Sequence, residues 1–344
     1  MYKTIVSKLL FREDLKEQEA QKIMNQIMQG ELTSAQIASF LTALRIKGET
    51  IEEMFGCAKA MRENAVRLKK SYPQAIDTCG TGGDSKGTFN ISTVTAFVAA
   101  GAGLKVAKHG NRGISSKSGS ADVLEALGIN INLTPSQVED CLEEVGIAFF
   151  FAPVFHPAMK FAIAPRKEMG FRTIFNLLGP LTNPAGVKYQ VLGVYDPDLT
   201  EVIAQTLKEL GAQQAMVVCS EKGMDEISLS EATKISQVKN GTVETFYLQA
   251  EDLGLRRCRL EDIQGGDSDL NAKITLEILE GKRRNSMRDT VLANAAAALM
   301  IGGVAEDLQM GLLMAAETID SGAALQKLIE LKRFSLGGFR NEHS

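Results

Sequence analysis

The chain has 344 residues, 44% of them hydrophobic, which is enough for one large or two modest domains with a substantial core. A net charge of −4 and a pI near 5.6 exclude general attraction to nucleic acid or to anionic membrane, so any anion binding has to come from local clusters. Cys57, Cys79, Cys141, Cys219 and Cys258 are scattered, odd in number and without CxxC spacing, which argues against a disulfide framework or zinc site and for a reducing cytoplasm. Residues 1–14 hold no apolar core of signal-peptide length. The longest uncharged runs, 91–104 and 291–305, fall short of the ~20 residues that a membrane helix needs.

The first seventy residues read as helices. Thr33 with Gln36 and Thr50 with Glu53 are capping-box pairs, and Ile37, Phe40, Leu41 and Leu44 follow at helical spacing. Residues 71–74, with Pro73, form the junction to a region where short β-rich runs (75–78, 104–107, 129–132, 147–151, 191–195 and 215–219) alternate with helices. That alternation predicts a largely parallel sheet covered by helices, an α/β fold behind a small helical domain. Thr134, Pro135 and Gln137 mark one crossover helix start and Gly146 its end. Residues 239–242, Lys-Asn-Gly-Thr, sit between two β-rich runs as a hairpin signal, and the chain from 272 onward is mainly helical.

The chemistry concentrates in residues 77–128. Gly80, Gly82 and Gly83 follow a strand candidate, and behind them the uncharged run 90–103 reads as a buried helix whose amino end, with its free N–H groups, favours phosphate. A second strand candidate then delivers Lys108, His109, Asn111 and Arg112, followed by Ser115, Ser116, Lys117, Ser118 and Ser120. Alone, the glycines are explained equally well by close backbone packing, and the cations by a solvated basic edge; together the two loops make a polyanion pocket the better reading. There is neither G-x-G-x-x-G with a distant acid nor G-x-x-x-x-G-K-[ST], so dinucleotide and P-loop folds are excluded. Asp225 and Glu226 read on composition either as a solvated loop or as two carboxylates sharing magnesium with phosphate oxygens and water. Arg166 reads as a helix-surface cation. His109, among cations, is a poor general base, and His156 reads as a packed loop residue.

In order along the chain, D-x-x-G-T-G-G-D, T-F-N-I-S-T, K-H-G-N-R, G-S-A-D-x-L-E-x-L-G, HPAMK, RTIFNLLGPLTNP and Asp225-Glu226 resemble the anthranilate phosphoribosyltransferase family over nearly the whole length. Ser85 departs from the pattern, which has glycine after the GTGGD aspartate. The resemblance implies a helical domain at 1–72, joined by helices from about 166–190, and a phosphoribosyl-pyrophosphate-binding catalytic domain at 73–344. It implies transfer of a phosphoribosyl group to anthranilate in tryptophan biosynthesis, two Mg2+ ions and a homodimer contacting through the helical domain. The implied donor site is Gly80, Gly83, Asp84, Thr88, Asn90, Ile91, Ser92 and Thr93 on one side. Lys108, His109, Gly110, Asn111, Arg112, Gly113, Ile114, Ser115, Ser116 and Ser120 form the other side, with Lys108 and Arg112 catalytic. Gly80, Asn111 and Arg166 face anthranilate, and Ser92, Asp225 and Glu226 hold the metal. Two rivals are a pyrimidine nucleoside phosphorylase, which leaves the Asp225-Glu226 pair unexplained, and a non-catalytic nucleic-acid binder, against which the acidic pI argues.

Overall fold

The structure, a computed structural model, describes residues 1–113 and 117–338. Four helices open the chain: α1 (Tyr2–Leu10), α2 (Glu17–Met28), α3 (Ser34–Lys47) and α4 (Ile51–Glu63). Both capping boxes form: Thr33 accepts from the Gln36 N–H while Gln36 accepts from that of Thr33, and Thr50 and Glu53 repeat the exchange. The buried Glu53 carboxylate also accepts from the Leu15 N–H and meets Lys47 at 2.9 Å, so its charge is compensated. Ile23, Ile27, Phe40, Leu44 and Met54 of these helices share one apolar core.

A seven-stranded sheet follows, in the order β3-β2-β1-β4-β5-β6-β7. The first five strands run parallel: β1 (Ile76–Gly80), β2 (Val106–Gly110), β3 (Ile147–Phe151), β4 (Tyr189–Gly193) and β5 (Gln214–Ser220). Helix α5 (Ile91–Gly101) links β1 to β2, and α6 (Ser120–Ala126) and α7 (Pro135–Glu144) link β2 to β3. Between β3 and β4 lie α8 (Ala152–Phe155), α9 (Lys160–Met169) and α10 (Phe175–Leu178); α11 (Leu199–Glu209) joins β4 to β5. Antiparallel β6 (Thr233–Lys239) and β7 (Thr242–Leu248) form the predicted hairpin, with Asn240 and Gly241 at φ +53° and +75° as a tight primed turn requires. Helices α12 (Ser268–Leu279), α13 (Ser286–Ile301), α14 (Leu308–Asp320) and α15 (Ala323–Ser335) complete the chain. Among the described residues, no helix is long and apolar enough to cross a membrane.

The two-residue period of β5 divides the molecule. Ala215, Val217 and Cys219 join the core of the N-terminal helices, which Ala162, Ile174, Phe175, Leu178 and Leu181 also enter, whereas Met216 and Val218 join the core built around α5 and α13. Half-buried Arg62 of α4 donates to the carbonyls of Leu181 (2.8 Å) and Leu210 (3.4 Å), tying the first helices to the segments preceding β4 and β5.

Two expectations change. Residues 129–132 form no strand: Ile129 and Ile131 are buried in alternation, but Asn130 donates from its backbone and its side chain to Ser335 at the end of α15, so a helix terminus takes the place of a neighbouring strand. The strand expected at 104–107 is displaced to Val106–Gly110 because its ladder partner is Ile147–Phe151, which pairs Lys108 with Phe149 inside the sheet.

Candidate active site

Strand order reverses between β1 and β4, and ligands of open α/β sheets bind beyond the carboxyl ends of strands at such a switch point. Gly80 and Gly193 end these two strands and are register partners. The Asp225 loop crosses directly above both. A Cβ on Gly193 would meet the Asp225 carbonyl at far below contact distance, so glycine is required there, and one on Gly80 would lie 2.5 Å from Asp225 Oδ2 and push that carboxylate aside. The Gly82 N–H donates to Asp225 Oδ2 at 2.9 Å, and the adjacent Glu226 accepts from the Ser92 N–H at 3.0 Å, at the amino end of α5. The helix end expected to attract an anion therefore faces a carboxylate of the candidate metal pair.

Lys108 lies beneath these acids, 4% exposed. Its Nζ donates to the Thr78 carbonyl at 2.6 Å and to Ser92 Oγ at 3.3 Å. Burial lowers its proton affinity, while Asp77, Cys79 and Glu226 oppose the loss. Asp77 is wholly buried, accepting from the His109 N–H (3.1 Å) and from Asn183 Nδ2 (2.8 Å), and burial raises its pKa to about 6 against the pull of Lys108. Asp225 and Glu226 keep a little accessible surface, yet burial dominates both. It pushes Asp225 up to about 7, with Asp84 adding like-charge repulsion, and Glu226 well above the usual carboxylate range, with Asp225 adding to it and Lys108 opposing.

His109 and His156 sit side by side, ring centroids 5.2 Å apart, each held by a backbone carbonyl, of Gly179 and Thr182 respectively. Burial drives His109 down to about 3, helped by His156 and Lys108, and His156 down to about 4, so both are neutral near pH 7 and neither is a strong base. Arg166, in the last turn of α9, is half-buried over the Phe175 ring at 5.2 Å, and among the described residues no carboxylate pairs with it. Burial lowers its proton affinity.

The structure brings Gly80, Gly83, Asp84, Thr88, Asn90, Ile91, Ser92 and Thr93 into one loop and helix start, beside Lys108, His109 and Gly110 at the end of β2. Asn111 and Arg112 are exposed. The Arg112 guanidinium is engaged by Asp122 at 3.0 Å and Glu125 at 2.8 Å, away from Lys108's partners. Gly113 donates to Asp122, and Ser120 Oγ donates to the Asn111 carbonyl at 3.3 Å. Ile114, Ser115 and Ser116 lie outside the described residues. Ser85 holds φ +58°, the conformation glycine takes without cost.

Sequence reasoning gave no role to Asp77, Asn183, Gly193 or Arg172. Arg172 reaches from the α9–α10 connection to the Gly83 carbonyl and stacks on Tyr195, 4.1 Å from the ring centroid, bracing the glycine loop. Asp77, Asn183 and Arg172 all fall within the motifs, but only the fold shows what they touch.

A helical-bundle model of the glycosyl transferase family matches residues 3–65 and its a/b-domain model matches 72–325, so a two-domain glycosyl transferase is the class that fold and site define. The sequence is 54% identical over 97% of both chains to an anthranilate phosphoribosyltransferase of Acetivibrio thermocellus, and 54% identical to one of Moorella thermoacetica over 95% of this chain and 96% of that one. The crystal structure of the Thermus thermophilus anthranilate phosphoribosyltransferase superposes with a TM-score of 0.91 at 41% identity, covering 96% of this chain and 99% of that one. The Saccharomyces cerevisiae enzyme in complex with PRPP (phosphoribosyl pyrophosphate) and Mg superposes at 0.89, with 28% identity over 97% and 98% of the two chains. This chain belongs to the anthranilate phosphoribosyltransferase family.

Proposed function

We propose that the chain transfers the phosphoribosyl group of 5-phosphoribosyl 1-pyrophosphate to the amine of anthranilate, giving N-(5-phosphoribosyl)-anthranilate and pyrophosphate in tryptophan biosynthesis. The observation that carries this is the meeting of one buried lysine and adjacent acids, one of them capping the start of α5, at the switch point. The relatives support the identity of the substrates: the yeast structures carry PRPP and Mg in one case and 4-fluoroanthranilate in another.

The bond from the ribose anomeric carbon to pyrophosphate breaks, and the anthranilate nitrogen forms the new bond and sheds its proton. The aromatic amine is already an uncharged nucleophile, so stabilising the departing charge is the difficult part. Two of the three N–H groups of Lys108 are used within the protein, which leaves one for a pyrophosphate oxygen. The ribosyl centre develops oxocarbenium character, and no covalent enzyme intermediate is needed. Arg166, half-buried without a carboxylate partner, suits the anthranilate carboxylate through two parallel hydrogen bonds, and the neutral His109 ring serves as a wall. Arg112 exchanges Asp122 and Glu125 for phosphate oxygens when the donor binds.

The acids fit a magnesium site. Asp84 Oδ2 is buried without a hydrogen-bond partner, Asp225 is strained by Asp84's charge, and no group of three or more His, Cys, Asp or Glu side chains among the described residues closes a shell. Phosphate oxygens and water would complete the coordination, as Mg2+ prefers. Asp225, Glu226 and Ser92 would hold the metal, which would supply positive charge to offset that of the departing pyrophosphate; two separate oxygen groups, Asp84 with Asp225 and Glu226 with Ser92, would suit two ions. A homodimer is supported by the exposed apolar residues Leu10 and Phe11 at the end of α1, Ile46 on α3 and Ile163 on α9, and a reducing cytoplasm by five free cysteines.

Calorimetric titration with phosphoribosyl pyrophosphate tests this reading. Magnesium should tighten binding to the parent, whereas Asp225→Asn/Glu226→Gln, with unchanged circular dichroism, should lose the magnesium-dependent part. Unchanged magnesium dependence in that variant would contradict the assignment.

A further inference from the structure

The segment from Leu260 to the start of α12 lies far from the donor loop in sequence yet is bonded along it. Thr88 forms an antiparallel bridge with Gln264, the Gly265 N–H donates to the Gly87 carbonyl at 2.9 Å, and Gln264 Nε2 donates to the Lys86 carbonyl at 2.9 Å. At its end stands Asn271, on the first turn of α12 and 2% exposed. Its Nδ2 donates to Asn90 Oδ1 at 2.8 Å and to the Gly266 carbonyl at 3.3 Å, while its Oδ1 accepts from the Gly266 N–H at 2.8 Å. Asn90, immediately before α5, donates from Nδ2 to the Ser118 carbonyl at 3.2 Å. The chain Asn271–Asn90–Ser118 thus runs from α12 through the amino end of α5 to the second anion loop.

An amide has a donor end and an acceptor end, and a buried one is costly to leave unpaired. With Asn271 presenting N–H to Asn90 Oδ1, the Asn90 amide has one orientation only, the one that offers N–H to Ser118. A flipped Asn90 would set two donors against each other at one end and two acceptors at the other. We propose that Asn271 is a positioning residue for the phosphoribosyl donor: it acts through Asn90, fixing the start of α5 against the 118–120 loop, and does not itself touch substrate. This rests on the donor reading given above. A purely structural role, closing the 266–271 turn, predicts no preference between the two substrates.

Steady-state kinetics with both substrates and donor calorimetry separate these roles. Asn271→Ala should raise the donor KM about tenfold, the size of one lost buried hydrogen bond, with the anthranilate KM within about twofold of the parent. Asn90→Ala should show the same split, and the double variant should be no worse than Asn90→Ala alone, because both changes break one relay. Asn271→Asp keeps the acceptor for the Gly266 N–H but, when ionised, has no N–H for Asn90 or for the Gly266 carbonyl; it should reproduce the donor defect. Equal rises in both KM values, effects that multiply in the double variant, or parent-like donor binding by Asn271→Asp would each overturn the proposal. A parent that fails to bind the donor at all would instead overturn the functional reading.

Discussion

Lys108 occupies a position where a cation is expensive to place and correspondingly effective. With Nζ anchored on Thr78 and Ser92, its charge would need no reorganisation in the proposed departure of pyrophosphate. Lys108→Met should lower kcat by roughly two orders of magnitude, since charge stabilisation in a sheltered site is worth ~3 kcal/mol; an unchanged kcat in single-turnover assays would move the role elsewhere. Arg166→Ala should raise the KM for anthranilate far more than that for the donor, at about 2 to 3 kcal/mol in kcat/KM. Aniline, lacking the carboxylate, should be a poor acceptor that loses little further in the variant, and equal losses for aniline and anthranilate would count against the assignment. Asp77 gives a pH test. Its folded pKa, about 6, lies above its ordinary 3.8, so its stabilising contribution is fully present below 3.8 and is lost as pH rises through about 6. The unfolding free energy of Asp77→Asn relative to the parent should therefore shift in the variant's favour by about 2 kcal/mol between pH 4 and 7, and a gap that stays flat in urea titrations would contradict the burial argument. Lys108 was legible because a cation at a strand end beside glycines points to an anion. Asp77 was not, because nothing in DTCGTGGD distinguishes an acid facing solvent from one sealed by Asn183 and the His109 backbone.

At the scale of elements, the decisive contact is the crossing of the Asp225 loop over paired Gly80 and Gly193. Gly193→Ala has no room for its methyl group and must displace the Asp225 main chain, an overpacking cost of about 1 to 3 kcal/mol. The expected result is at least a tenfold loss of magnesium-stimulated turnover with a cooperative melt retained; full activity would show that the loop can shift freely. The glycine loop was visible in the sequence as an unusual cluster. Gly193 was not, since a single glycine ending a strand is ordinary until register places it under another loop. The capping boxes at Thr33, Thr50 and Thr134 and the Asn240-Gly241 hairpin were readable because each rests on interactions between near neighbours in the chain. Residues 129–132 misled for the complementary reason: Ile129 and Ile131 alternate like a strand, and only the distant Ser335 reveals where Asn130's hydrogen bonds go.

For the whole molecule, the α/β plan followed from alternating β-rich and helical runs, and the fold confirms it with a mostly parallel sheet behind a helical bundle. The residues by themselves do not show how the two are joined, which the resemblance assigned to helices from about 166–190. Ala162, Ile174, Phe175 and Leu178 enter the core of the first four helices, so Arg166 and Arg172 are carried on a segment that packs against the bundle while Arg172 reaches the glycine loop of the sheet. Arg166 and the glycine loop are thereby fixed relative to each other by contacts spanning both parts, as the proposed catalysis by positioning requires. The most direct measurement of the central claim mixes purified protein with anthranilate, phosphoribosyl pyrophosphate and magnesium, following loss of anthranilate fluorescence and release of pyrophosphate together. The account predicts that both proceed one-to-one and stop when magnesium is chelated. Pyrophosphate release without anthranilate loss, or no reaction with these substrates alongside phosphate-dependent cleavage of a pyrimidine nucleoside, would contradict it.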